Sequence, residues 1–152
     1  MTKKTDNEKL MDSKDFPKII LLDKKEDIIK YGGNRMLIAP PLAYDEIIKL
    51  IPAGKLLTIK EIRDYLAHQY QADFTCPLTA GLFINIVARA SEERGYDKTP
   101  YWRVLKKDGT LNEKFPGGFE NQKKLLEAEG HQISIKGKNF FVDEFEKHLF
   151  SI

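Results

Sequence analysis

The residues from Lys98 to Gly118, KTPYWRVLKKDGTLNEKFPGG, have the frame of a reactive-site loop. Pro100 precedes a two-residue slot, and Arg103 with a short apolar run follows it. A nucleophile in such a slot is an activated thiol or hydroxyl with a base beside it. Here the slot holds Tyr101 and Trp102. A phenol titrates near pH 10, so Tyr101 is a poor acceptor at neutral pH, and an indole is none. The one thiol, Cys76, lies outside the loop at the start of a predicted helix, a position that can activate a cysteine. It has no evident base, and a buried, inert cysteine is the competing reading. The three histidines, His68, His131 and His148, are far apart in sequence, with no HExxH or CxxC spacing. Neither a metal nor another cofactor is expected.

The elements that must hold this loop are legible in part. LAYDEIIKLI (42–51) has helical spacing, and Pro52-Ala53-Gly54 is a turn. Thr58-x-x-Glu61 reads as a capping box opening a helix over about 59–70, with Ile59, Ile62, Tyr65 and Leu66 on one face. A second helix should open at Cys76-Pro77, because proline fits the first helical turn, and run to about Gly95. It is apolar over most of its circumference, leaving a narrow stripe of Gly81, Asn85, Ala88, Arg89 and Glu92. That stripe is expected to face outward, which makes the pair a helix-turn-helix, although any helical domain contains antiparallel pairs. A further helix starts near Gly118, a hairpin turns at Lys136-Gly137-Lys138, and DEFEKHLF reads as a terminal helix.

With 152 residues, 41% of them hydrophobic, the chain suffices for one domain with a real core. No apolar run approaches the roughly 18 residues that span a bilayer. Residues 1–16 are polar and charged with no apolar stretch, so a loose tail is expected rather than a signal peptide. Residues 17–41 read as an extended arm and 42–152 as the domain. A single cysteine suits the cytoplasm. A net charge of +2 gives no broad argument for nucleic acid. The segment from Lys98 to Lys124 is locally basic, with seven basic residues against three acidic ones.

On these parts the chain resembles the C-terminal domain of the alkylguanine-DNA alkyltransferases (methylated-DNA–protein-cysteine methyltransferases). It is more similar still to their cysteine-less alkyltransferase-like relatives. The resemblance covers about Leu42 to His131. It rests on the Pro52-Ala53-Gly54 turn, the helix pair, Pro100-Tyr101-Trp102-Arg103-Val104, Asp108-Gly109, Pro116-Gly117-Gly118 and Leu125-Leu126-Glu127-Ala128-Glu129-Gly130-His131. It implies an α+β, mainly helical fold of winged helix-turn-helix type and a role in DNA repair. The family's cysteine and histidine positions are Tyr101 and Trp102 here, and only its glutamate is matched, by Glu129. No alkyl transfer is therefore expected, leaving a degenerate site of Tyr101, Trp102 and Glu129. Two base-flipping residues of the family are also replaced, by Ile59 and, in the nearest register, Thr79.

The resemblance makes Thr58, Ile59, Thr79, Gly81, Asn85, Arg89, Arg103, Lys106 and Lys107 the candidate DNA contacts. Pro100, Tyr101, Trp102, Arg103, Gly117, Gly118 and Glu129 form the candidate pocket. Tyr101 and Trp102 either stack on a base or fill a defunct pocket as core, and Glu129 either accepts a ligand hydrogen bond or is a salt-bridged remnant. DNA is the expected partner, bound weakly, with another repair protein behind it. The alternatives are a protein- or small-molecule-binding module and, more weakly, an alkyl acceptor at Cys76.

Overall fold

The computed structural model describes residues 3–152; Met1 and Thr2 lie outside the described residues. Six α-helices and seven short strands order as α1 (Asp6–Met11), β1 (Lys18–Leu21), α2 (Lys25–Tyr31), β2 (Arg35–Ile38), α3 (Pro41–Ile48), β3 (Leu57–Thr58), α4 (Ile59–Gln69), β4 (Phe74–Thr75), α5 (Pro77–Arg94), β5 (Val104–Leu105), α6 (Gly118–Ala128), β6 (Ile133–Lys136) and β7 (Asn139–Val142). This is a mixed α+β fold in which helices dominate and the sheets are small.

The N-terminal residues differ from the expected loose tail. Thr5 caps α1 in a reciprocal box with Glu8, and Leu10 is buried. Glu93 of α5 accepts from the Asp6 and Asn7 amides at 3.0 and 3.1 Å, so a carboxylate sits at the positive end of α1. The expected extended arm contains α2, and its strands enter a sheet: β1 pairs antiparallel with β2, and β2 runs parallel to β4. The terminal DEFEKHLF is a single 3-10 turn at Phe145–His148 rather than an α-helix.

The helix pair lies where its spacing predicts. The capping box at Thr58 does not form: its hydroxyl hydrogen-bonds the Glu61 carboxylate directly instead of taking a backbone amide. Parallel pairing of β3 with β5 ties the start of α4 to the 98–118 loop, with Leu57 opposite Val104 and Thr58 opposite Leu105. The main core joins α3, α4 and α5 through Tyr44, Ile48, Ile62, Leu66, Ile84 and Val87. A smaller one, Leu56, Leu105, Leu111, Leu126 and Val142, lies under α6 and the β6–β7 hairpin, and Trp102 packs against both.

Candidate functional site

The Lys98–Gly118 loop is held at its entry, from below and at its exit. At its entry Thr99 is fully buried, donating to Asp45 at 2.6 Å while its amide donates to Ser91 Oγ at 2.9 Å. Pro100 then starts a 3-10 turn, Tyr101–Arg103, that leads into β5. From below, the buried Gln122 side chain donates to the Trp102 and Val104 carbonyls at 3.1 Å each and accepts from the Asn112 amide at 2.8 Å. At its exit Gly117 and Gly118 have φ of 79° and 64°. A Cβ at Gly117 would come within 2.4 Å of the Asn121 Cβ, so only glycine allows α6 to start there.

Tyr101 is core. It is 1% exposed, packs on Phe115, donates to Glu92 at 2.9 Å and accepts from Asn121 at 3.3 Å. Burial, then the carboxylate of Glu92, pushes the phenol further above its ordinary range. Trp102 stands edge-on to Tyr101, and its indole N–H donates to Glu129 at 3.1 Å. Of the two alternatives for this pair, stacking on a base and filling the core, Tyr101 takes the second, and Trp102 packs against both cores.

Glu129 is the centre of a second cluster. Arg103 donates Nε and Nη2 to it at 2.9 and 2.7 Å, and the Gly54 amide approaches at 3.4 Å. The remaining arm of Arg103 donates to the Ile51 carbonyl at 2.6 Å, and its guanidinium lies 5.4 Å from the Trp102 ring centre. Burial raises the Glu129 pKa, but the bonds from Arg103 and Trp102 outweigh it and hold the carboxyl below its usual range. Arg103 is therefore occupied inside the protein and leaves the set of DNA contacts, and Glu129 is a structural acceptor.

The stripe on α5 is split: Arg89 and Glu92 are exposed as expected and Gly81 is half-buried, while Asn85 and Ala88 turn inward. Ala88 is fully buried and Asn85 is 9% exposed, its side-chain oxygen accepting from Asn112 at 3.3 Å. Glu92 receives Tyr101. Through Asn85 and Glu92 the stripe supports the loop. The exposed ridge of α5 carries Leu78 and Leu82, 72% and 53% exposed, and Arg89, whose Nε lies 3.3 Å from Asp6. Thr79 turns its hydroxyl to the Cys76 carbonyl at 3.4 Å, and Thr58 is buried, so neither is a free contact.

What remains open is a groove of about 290 Å³ between the start of α4, the first half of α5 and the loop. Ile59, Gly81, Leu82 and Asn85 line one side and Lys106, Asn112, Glu113 and Lys114 the other. A recess in its floor reaches Ile84, Val104 and Phe115. Nothing lies within 4 Å of where a Cβ on Gly81 would be. Lys106 pairs with Glu113 at 2.9 Å in solvent, and Lys107 is exposed nearby. Ile59, Gly81, Asn85 and Lys106 are thus brought together, whereas Pro100, Tyr101, Trp102, Gly117, Gly118 and Glu129 support the loop from behind. Sequence reasoning missed Asn112 and Gln122. Gln122 had a signal, because it shares the inward face of α6 with Phe119 and Leu126.

No family model and no curated protein matches this chain. Solved structures do, among them two from S. pombe. One is S. pombe Atl1 in complex with damaged DNA containing O6-carboxymethylguanine, 20% identical, with a TM-score of 0.53 over 74% of this chain and 94% of that one. The other is S. pombe ATL in complex with DNA, 19% identical, with a TM-score of 0.54 over 86% of this chain and all of that one. This chain has the alkyltransferase-like fold. In that fold the slot residues, Tyr101 and Trp102, serve packing, and among the described residues no helix is long and apolar enough to cross a membrane.

Proposed function

We propose that this protein binds duplex DNA along the exposed ridge of α5 and receives an alkylated base in the groove at Gly81, without accepting the alkyl group. The observation that carries the reading is the groove, open between the start of α4, α5 and Lys106–Lys114 in a fold shared with two solved structures captured on DNA. The amides of Asn85 and Asn112 offer hydrogen bonds to base edges, and the recess floor is apolar. Lys106, Lys107, Lys114 and Arg89 are placed to meet phosphates. The Arg89–Asp6 and Lys106–Glu113 pairs are exposed, worth about 0–1 kcal/mol each, and yield readily to a phosphate. A bound lesion left unrepaired suits hand-over to another repair protein.

Affinity is expected to be micromolar or weaker, with a salt dependence corresponding to about three or four phosphate contacts. Replacing Arg89 or Lys107 by alanine lowers affinity for all duplexes alike and reduces the slope by about one each. Fluorescence anisotropy at several salt concentrations measures both. Binding that ignores salt and both substitutions would sink the reading in favour of a protein- or small-molecule-binding module.

Incubation with duplex carrying an isotopically labelled O6-methylguanine leaves the protein unlabelled. Tyr101, the one hydroxyl in the slot, is buried, bonded to Glu92 and held further from ionisation than a free phenol. Intact mass spectrometry decides it, and stoichiometric label on Cys76 would promote that residue to acceptor.

A further inference from the structure

His131 and His148, far apart in sequence, meet behind the loop. Their rings are perpendicular with centres 5.0 Å apart. His131 is 5% exposed, and both its ring nitrogens are buried without a hydrogen-bond partner. A neutral imidazole can sit there as an apolar plate; an imidazolium would be a buried charge with no acceptor. The surrounding backbone links this pair to the site. The Leu56 amide donates to the His148 carbonyl at 2.9 Å, and the Phe150 amide donates back to Leu56 at 2.8 Å. Leu56 leads directly into β3 and then Ile59 at the groove.

We propose that the His131–His148 contact is an acid-sensitive latch, holding the C-terminal segment against the strand that carries the start of α4. Neutral His131 packs under His148 and the latch is closed. A proton on His131 has no acceptor and drives the C-terminal turn away, freeing the Leu56 and Phe150 amides. The charged groups around the ring set the direction. Burial and then His148 lower its pKa, while Glu129 at the end of α6 raises it; Glu129 is already neutralised by Arg103. Glu144 and Lys147 of the C-terminal turn pair with each other in solvent at 2.8 Å, and Lys55 is exposed. The unfolded chain takes up the proton near pH 6.5, the folded chain only at lower pH. Stability contributed here is therefore present above about pH 6.5 and falls as pH drops below it.

Amide hydrogen exchange of the full chain at about pH 7.5 and about pH 5 tests the latch. Protection factors at Leu56 and Phe150 are expected to fall about tenfold more at the lower pH than that of Val87 on α5. In His131→Phe, which keeps an apolar ring and removes the proton, the extra fall disappears. Equal protection at both pH values, or the same fall in His131→Phe, overturns the latch. The unmodified protein gives a second readout that needs no variant: the His131 ring signals and the Leu56 and Phe150 amide shifts must titrate with one midpoint. Separate midpoints overturn it equally.

Discussion

Glu129→Ala is expected to lower the stability of the fold by about 3 kcal/mol, read as a reduced urea midpoint at unchanged slope. The carboxylate takes hydrogen bonds from Arg103 and Trp102 and lies near the Gly54 amide, joining α6, the loop and the turn before β3. Removing it leaves a guanidinium only 15% exposed with no counter-charge and an indole N–H with no acceptor. The value belongs at the low end for a broken buried pair because both side chains keep some contact with water. A pH profile separates this pair from the histidine latch. Glu129 has a lowered folded pKa, so its contribution is complete above the ordinary carboxylate value near 4.3 and is lost as pH falls through the folded one. The wild type should therefore lose stability in two windows, one beginning near pH 6.5 and one below about pH 4.3, and Glu129→Gln should lose less in the second, which it shares with other carboxylates held low, such as Asp108 and Glu113. A midpoint unchanged in Glu129→Ala would mean that the cluster contributes nothing net.

The long elements were legible because punctuation and periodicity agreed. Cys76-Pro77 opens α5 and Gly95 closes it with φ of 70°, so both its boundaries have a chemical cause, while α4 begins after Thr58 without a side-chain cap. The orientation of α5 was not legible. The helix is apolar on most sides, and polarity alone assigned Gly81, Asn85 and Ala88 to solvent. Asn85 and Ala88 face inward, Asn85 bonded to Asn112 of the loop, while Gly81 borders the open groove and the larger Leu78 and Leu82 stay outside. The six-residue α1 was missed because one buried side chain, Leu10, makes no periodicity, although its Thr5-x-x-Glu8 signature was present. The β3–β5 pairing spans two residues per strand, too few for an alternating pattern, yet it brings Ile59 to the loop and so creates the groove.

Within the candidate site the motif and the groove separate. Residues matched by type, from Pro100 to Arg103 and Glu129, form the packed back of the loop. The open front combines Ile59, Gly81 and Asn85, candidates already in the sequence, with Asn112 and Lys114, which geometry adds. Tyr101 and Trp102 fit that division, filling space and bonding Glu92 and Glu129 while leaving the front open.

Gly81→Leu tests the front without disturbing the back, and its two effects have opposite signs. Gly81 lies inside α5, where glycine is less favourable than leucine by about 0.5–1 kcal/mol. A Cβ there meets nothing within 4 Å, so the substitution should raise the thermal midpoint. The leucine atoms enter the groove between Ile59 and Asn112 and take the place of a base. Affinity for alkylated duplex is expected to fall at least tenfold, about 1.4 kcal/mol, with loss of preference over the plain duplex. Salt-dependent binding to plain duplex should persist, because Arg89, Lys107 and the outer ridge are untouched. Gly81→Ala separates blockage from helix propensity: it brings a similar gain in stability with only one added carbon in the groove, and so a small change in binding. Thermal unfolding and anisotropy on the three proteins read both quantities. A Gly81→Leu protein that is more stable and still distinguishes alkylated from plain duplex would show that the lesion is recognised elsewhere on the chain.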